Sequence, residues 1–136
     1  ILVNKNYIHT LEKFEHSRAT KKIYLCDISL KAALTTDKHF GRLFENMVYL
    51  ELLKSNVKCF YDEQIEFYIP TKGEIILCMP FSDERALFKK IEQIEAFIFT
   101  HSIEKITAIT MNTEGSISHP LSQVEMLPFD IWALGD

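Results

Sequence analysis

The segment that follows Asp37 restricts the possible folds of this chain more than any other. Phe40, Leu43, Phe44, Met47, Val48 and Leu50 recur at helical spacing, the pattern runs to about Ser55, and Asn56 is placed to stop it. The spacing predicts one helix that is apolar over most of its circumference, and such a helix is normally buried between layers of structure. Three runs of strand character come next, Val57 to Tyr61, Ile65 to Ile69 and Glu74 to Met79. They are separated by Asp62-Glu63 and by Pro70-Thr71-Lys72-Gly73, both rich in turn chemistry. The simplest expectation is a helix laid on a meander.

A second helix is announced by Ser82 as cap, with Asp83 and Glu84 in its first turn. Its stripe of Leu87, Phe88, Ile91, Ile94, Glu95 and Ile98 predicts one amphipathic helix to about Thr100, with Lys89 and Lys90 turned away. Lys105 to Met111 reads as a strand closed by Asn112-Thr113-Glu114-Gly115, Val124 to Leu127 as a last short strand, and Phe129 to Leu134 as a closing helical turn. Upstream, Ile23 to Cys26 reads as a strand leading into a short helix over 29–34 that Asp27 or Ser29 would cap. The central order is helix, three strands, helix, strand. A parallel pairing of the late strand with the meander needs a helical crossover, and one is present. The class is α/β with a mixed sheet flanked by helices: one domain over 21–136, preceded by an arm or linker over 1–20.

Composition narrows the function. At 136 residues and 47% hydrophobic the chain can bury one substantial core, and 25% charged residues are ordinary for a folded protein. A net charge of −4 provides no general attraction for nucleic-acid phosphates. A basic DNA surface would have to be assembled from Lys54, Lys58, Lys72, Arg85 and Lys89. Cys26, Cys59 and Cys78 lie far apart without a CxxC pair, which predicts reduced core thiols in place of disulfides or zinc ligands. His9, His16, His39, His101 and His119 form no HExxH and no i,i+4 pair, so surface histidine is the default; no GxSxG elbow is present. No run is long and apolar enough to span a bilayer and no signal-peptide layout opens the chain, so a cytoplasmic location without membrane contact is expected. The start at Ile1 suggests a piece of a longer polypeptide.

Two motifs carry a resemblance. Lys22-Ile23-Tyr24-Leu25-Cys26-Asp27-Ile28-Ser29-Leu30 resembles a K-x-Y-x-x-D-x-G-L segment. Gly41-Arg42-Leu43-Phe44-Glu45-Asn46-Met47-Val48-Tyr49-Leu50-Glu51-Leu52 resembles a G-x-L-x-E-N-x-V-x-x-E-L helix. Both are similar to the uncharacterised C-terminal domain that follows the ATPase in many bacterial and archaeal AAA proteins, a branch of the PD-(D/E)XK, or restriction-endonuclease-like, fold. With the strand at 106–110, the resemblance covers most of the chain from about Lys21. It implies an ATP-hydrolysing domain elsewhere in the polypeptide. No GxxxxGK[ST] pattern occurs here, so ATP belongs to that other domain.

In active members of such a fold, carboxylates from the helix and successive strands hold a divalent cation, and a strand Lys helps to activate water; oxygen ligands suit Mg²⁺. Carried onto this sequence, the resemblance assigns Glu45 to the helix position and Glu66 to the strand position. They are the residual candidates for catalysis or for Mg²⁺. Where an acid and a Lys should follow on the next strand, Ile76 and Cys78 stand instead, so the resemblance implies a degenerate centre without cofactor. The residues also have plain structural readings. Glu51, on the apolar side of the helix, would bond backbone or a Lys; Glu45 would brace a neighbouring segment with Arg42 or Asn46; Glu66 would face solvent on a half-exposed strand. Trp132, Phe129, Leu127 and Leu134 would close the core or, exposed, form an interaction patch. The expected function is a noncatalytic interaction or regulatory module whose partner is its own ATPase domain or another protein subunit. The alternative is a DNA-binding or weakly nucleolytic domain using Mg²⁺.

Overall fold

A computed structural model describes residues 8–11, 14, 22–25 and 40–135. The expected short helix over 29–34, with its caps Asp27 and Ser29, lies outside the described residues, as do Cys26, His16 and His39. Two strands of the N-terminal part, β1 (Ile8–Leu11) and β2 (Lys22–Leu25), pair antiparallel with Ile8 opposite Leu25. The first of these falls in the stretch read from sequence as an arm or linker.

Helix α1 spans Phe40–Lys54 and packs on the central sheet. It ends where Asn56 takes a left-handed φ of 57° and its N–H donates to the Leu53 carbonyl at 3.2 Å, the conformation that suits Asn after a helix. Strands β3 (Phe60–Asp62), β4 (Ile65–Ile69) and β5 (Glu74–Cys78) form the expected antiparallel meander. The first begins three residues later than its apolar run, so Val57 to Cys59 approach it as irregular chain. Between β4 and β5, Pro70–Lys72 makes a single 3-10 turn that Gly73 closes at φ 59°, ψ 39°. A side chain rarely adopts that conformation, and the Gly73 carbonyl accepts the N–H groups of Glu104 (2.8 Å) and Lys105 (3.3 Å), which aligns the start of the strand that pairs with β5.

The crossover departs from expectation in two ways. Its cap is Asp83, whose carboxylate accepts the Ala86 N–H at 2.9 Å, one residue beyond Ser82. The single helix is also divided into α2 (Glu84–Gln93) and α3 (Glu95–Thr100). At Ile94 ψ is 14°, and its N–H is shared between the Lys90 and Ile91 carbonyls at 3.1 and 3.2 Å, a local tightening of the turn. Leu87, Ile91, Ile94 and Ile98 are buried, whereas Phe88 and Glu95, seven residues apart on one flank, stay exposed. The apolar stripe is therefore narrower than the sequence pattern.

Strand β6 (Lys105–Thr110) lies parallel to β5, and β8 (Gln123–Pro128) parallel to β6. A three-residue strand that the sequence reading missed, β7 (Gly115–Ile117), pairs antiparallel with β8 at the border. Among the described residues the mixed sheet has six strands in the order β3-β4-β5-β6-β8-β7, and helix α4 (Phe129–Leu134) follows it. Alternation sends Ile75, Leu77, Ile106, Ala108, Val124 and Met126 to the face covered by α2 and α3. Phe67, Ile69, Ile76 and Ile109 meet Phe44, Val48, Tyr49 and Leu52 of α1 on the other. Helices thus cover both faces of the sheet. Phe14 is also anchored: its N–H donates to the Tyr61 carbonyl at 2.7 Å, and its ring lies edge-on to Tyr68 at 4.8 Å.

Candidate functional site

Glu66 and Cys78 come together, as neighbouring strands of the meander require. The β4–β5 ladder pairs Phe67 with Ile76, and just beyond it the Cys78 N–H donates to Glu66 Oε1 at 3.0 Å. The carboxylate is half-buried and serves as a strand-end acceptor, so the expectation that it faces solvent is corrected. Ile76 is 1% exposed in the core beneath α1, and Cys78 packs beside the same core. Glu45 sits half-buried on α1 between the buried Phe44 and Asn46. Of the four positions that the resemblance assigns to a metal centre, two thus carry an isoleucine and a thiol, both poor ligands for a hard cation, and one of the two carboxylates has an oxygen taken by an amide.

The other candidate residues have structural partners. Glu51 takes the Lys alternative of its reading, with Lys54 Nζ 3.1 Å from its carboxylate. His119 is half-buried, with its side chain 6% exposed; its Nε2 lies 3.1 Å from the Glu95 carboxylate, and its Nδ1 accepts the Leu121 N–H at 3.1 Å. His101 is half-buried against Phe97, with ring centroids 4.3 Å apart. Cys59 donates its thiol hydrogen to the Val57 carbonyl at 3.7 Å. Burial pushes that thiol up from 9.0 to about 11, with Lys72 acting in the opposite direction and Glu74 adding to the rise. A thiol so protonated is a poor nucleophile at neutral pH. The five cations proposed for a DNA surface do not share one face: Lys54 and Lys72 line one cleft on the α1 side of the sheet, whereas Arg85 and Lys89 ride on α2 over the other side. Lys58 lies over the Phe60 ring at 5.6 Å.

Sequence reasoning missed an open cleft of about 710 Å³ between the last turn of α1 and α4. Its floor is the α1-covered sheet face, where the register sets Ile76, Thr107 and Glu125 side by side in one row and Glu74 beside Lys105 in the next. One wall carries Glu51 and Lys54, the other Trp132. Phe129 and Trp132 pack against the α1 core, so the tail divides the two readings given for it: these rings close the domain, while Ile131 (45%) and Leu134 (87%) stay exposed. Lys105 Nζ stands 3.6 Å from the Glu125 carboxylate. Thr107 is the unusual member. It is 1% exposed, yet no hydrogen bond meets its hydroxyl among the described residues. No sealed side-chain oxygen or nitrogen among these residues lacks a partner, so this hydroxyl keeps its access to the cleft. The signal available in sequence was the alternation of Lys105, Thr107 and Ile109 on one strand face, but which neighbours they meet depends on the parallel pairing.

The fold and these positions define an α/β protein with a mixed six-stranded sheet between helices. Among the described residues no helix is long and apolar enough to cross a membrane. Compared with known proteins, the chain has no significant match to a family model, a curated protein or a solved structure.

Proposed function

We propose that this chain is a noncatalytic interaction or regulatory module on a degenerate restriction-endonuclease-like scaffold, working in the cytoplasm as the C-terminal part of an AAA-family ATPase. The observation that carries the reading is the bond from the Cys78 N–H to Glu66 beside the core residue Ile76. At the positions where a metal-dependent nuclease of this kind would keep its acid and Lys, this chain has an apolar side chain and a thiol, and it uses the Glu66 carboxylate to finish a strand. The order α1, β3 to β5, crossover helices and β6 supports the scaffold assignment. Fold alone does not fix an activity, so the function is sought in the surfaces the scaffold presents. The partners under this reading are the ATPase domain of the same polypeptide or another protein subunit.

Cleavage and binding of single- and double-stranded DNA at low salt, with Mg²⁺ or Mn²⁺ and with Glu45→Ala and Glu66→Ala as controls, separate this reading from a DNA-binding or weakly nucleolytic domain. No cutting and no salt-dependent affinity are expected. Metal-dependent cutting lost in both variants would overturn the assignment. ATP hydrolysis and assembly state of the longer polypeptide, with and without residues 21–136, supply the positive arm; if neither changes, the regulatory reading fails.

A further inference from the structure

We propose that the cleft between α1 and α4 binds a short peptide segment carrying one basic and one acidic side chain. The inference deepens the interaction reading by naming the chemistry of the partner, and it rests on that reading only for its biological setting.

The charges of the cleft are balanced and layered. Three lysines (Lys54, Lys72, Lys105) and three glutamates (Glu51, Glu74, Glu125) line it. In each ion pair the lysine is the more exposed partner, 73% against 22% for Lys54 with Glu51 and 44% against 24% for Lys105 with Glu125. A ligand therefore meets ammonium groups at the rim and carboxylates deeper in. Pairs this exposed are weakly held and can exchange partners. A polyphosphate would face three carboxylates, and an apolar ligand would strip water from the ion pairs without replacing it. A segment bearing both charges answers both layers: its acidic side chain takes a rim lysine and its basic side chain reaches Glu51 or Glu125.

The remaining features suit a peptide. The Thr107 hydroxyl can accept an N–H or donate to a carbonyl, the two groups that every peptide unit offers. Its burial makes a new bond there count for more than one formed in open water. Trp132 provides an indole on which a guanidinium or ammonium group can rest. A cleft of about 710 Å³ is of the size that encloses a ligand of several residues' bulk rather than a single ion.

The test uses end-blocked pentapeptides containing one arginine and one glutamate at every relative spacing, titrated into the isotopically labelled chain and followed by amide and indole NMR shifts. Matched peptides with glutamine at both charged positions and inorganic triphosphate serve as comparison probes. The expected result is millimolar or tighter binding by at least one charged peptide, with shifts at Thr107, Lys105, Glu125 and the Trp132 indole. Affinity should fall at least tenfold in Thr107→Val and in Trp132→Ala. Because Val keeps the branched shape and removes only an unbonded hydroxyl, Thr107→Val should melt no earlier than the parent, which separates lost binding from lost folding. Absence of shifts at these residues for the whole panel would overturn the proposal, as would equal binding by the glutamine peptides, equal binding by triphosphate, or unchanged affinity in Thr107→Val. Those results concern the cleft alone, whereas the module reading fails on ATP hydrolysis and assembly.

Discussion

At the scale of single residues, the border strand β7 depends on one carboxylate. Ser116 N–H points away from β8 and donates to Glu84 Oε2 at 3.1 Å. Gly115 leaves room for that arrangement, since a Cβ there would run into the Glu84 carboxylate. Gly115→Ala is therefore expected to push Glu84 aside and free the Ser116 N–H, at a cost of roughly 1 kcal/mol or less because the site is exposed. In a Glu84→Ala background the same change should cost little or nothing, and urea unfolding of the two single variants and the double variant reads the coupling. Cys59 offers a pH-dependent check. Its folded thiol titrates near 11 against an ordinary 9.0, so the folded state holds its proton longer than the unfolded state does. The resulting stability is fully present below about 9.0 and is lost as pH rises through about 11. Unfolding midpoints measured across that window should fall more steeply for the parent than for Cys59→Ala. Alkylation of Cys59 at pH 8 should be slow beside a free thiol and should quicken toward pH 11.

At the scale of elements, the crossover shows how local chemistry and tertiary packing share control. Either Ser82 or Asp83 could cap a helix, and the backbone decides between them: Asp83 is extended at φ −111°, ψ −174° and bonds Ala86. Asp83→Ala should lower stability by about 1 kcal/mol and Ser82→Ala by much less, as read from denaturant midpoints. Equal losses would contradict this assignment of the cap. The break at Ile94 left no mark in the sequence, because Leu87, Ile91, Ile94 and Ile98 keep helical spacing across it. Strand β7 was illegible for a related reason: Gly-Ser-Ile is too short to alternate, and it becomes a strand because β8 offers it a partner. Helix α1, the meander, β6 and α4 were legible because their periods or turn residues act locally. Even so, the first meander strand starts late, at Phe60, where pairing with Tyr68 begins.

At the scale of the whole molecule, the candidate site was half legible. Glu66 and Cys78 are brought together by an antiparallel hairpin whose turn residues can be read directly, so their proximity was within reach of the sequence. The cleft was not, since its floor joins β5, β6 and β8 through two parallel pairings whose registers no local signal sets. Those pairings also bear on synthesis. A nascent chain that has emerged only as far as Thr110 already contains α1, the meander and both crossover helices, yet one side of β6 is bare and Ile106, Ala108 and Ile109 lack the cover that β8 and α4 bring. Completion of the fold waits for the last strand to leave the ribosome, and a polypeptide ending at Thr110 is expected to be degraded or to aggregate in place of accumulating as a smaller, stable domain.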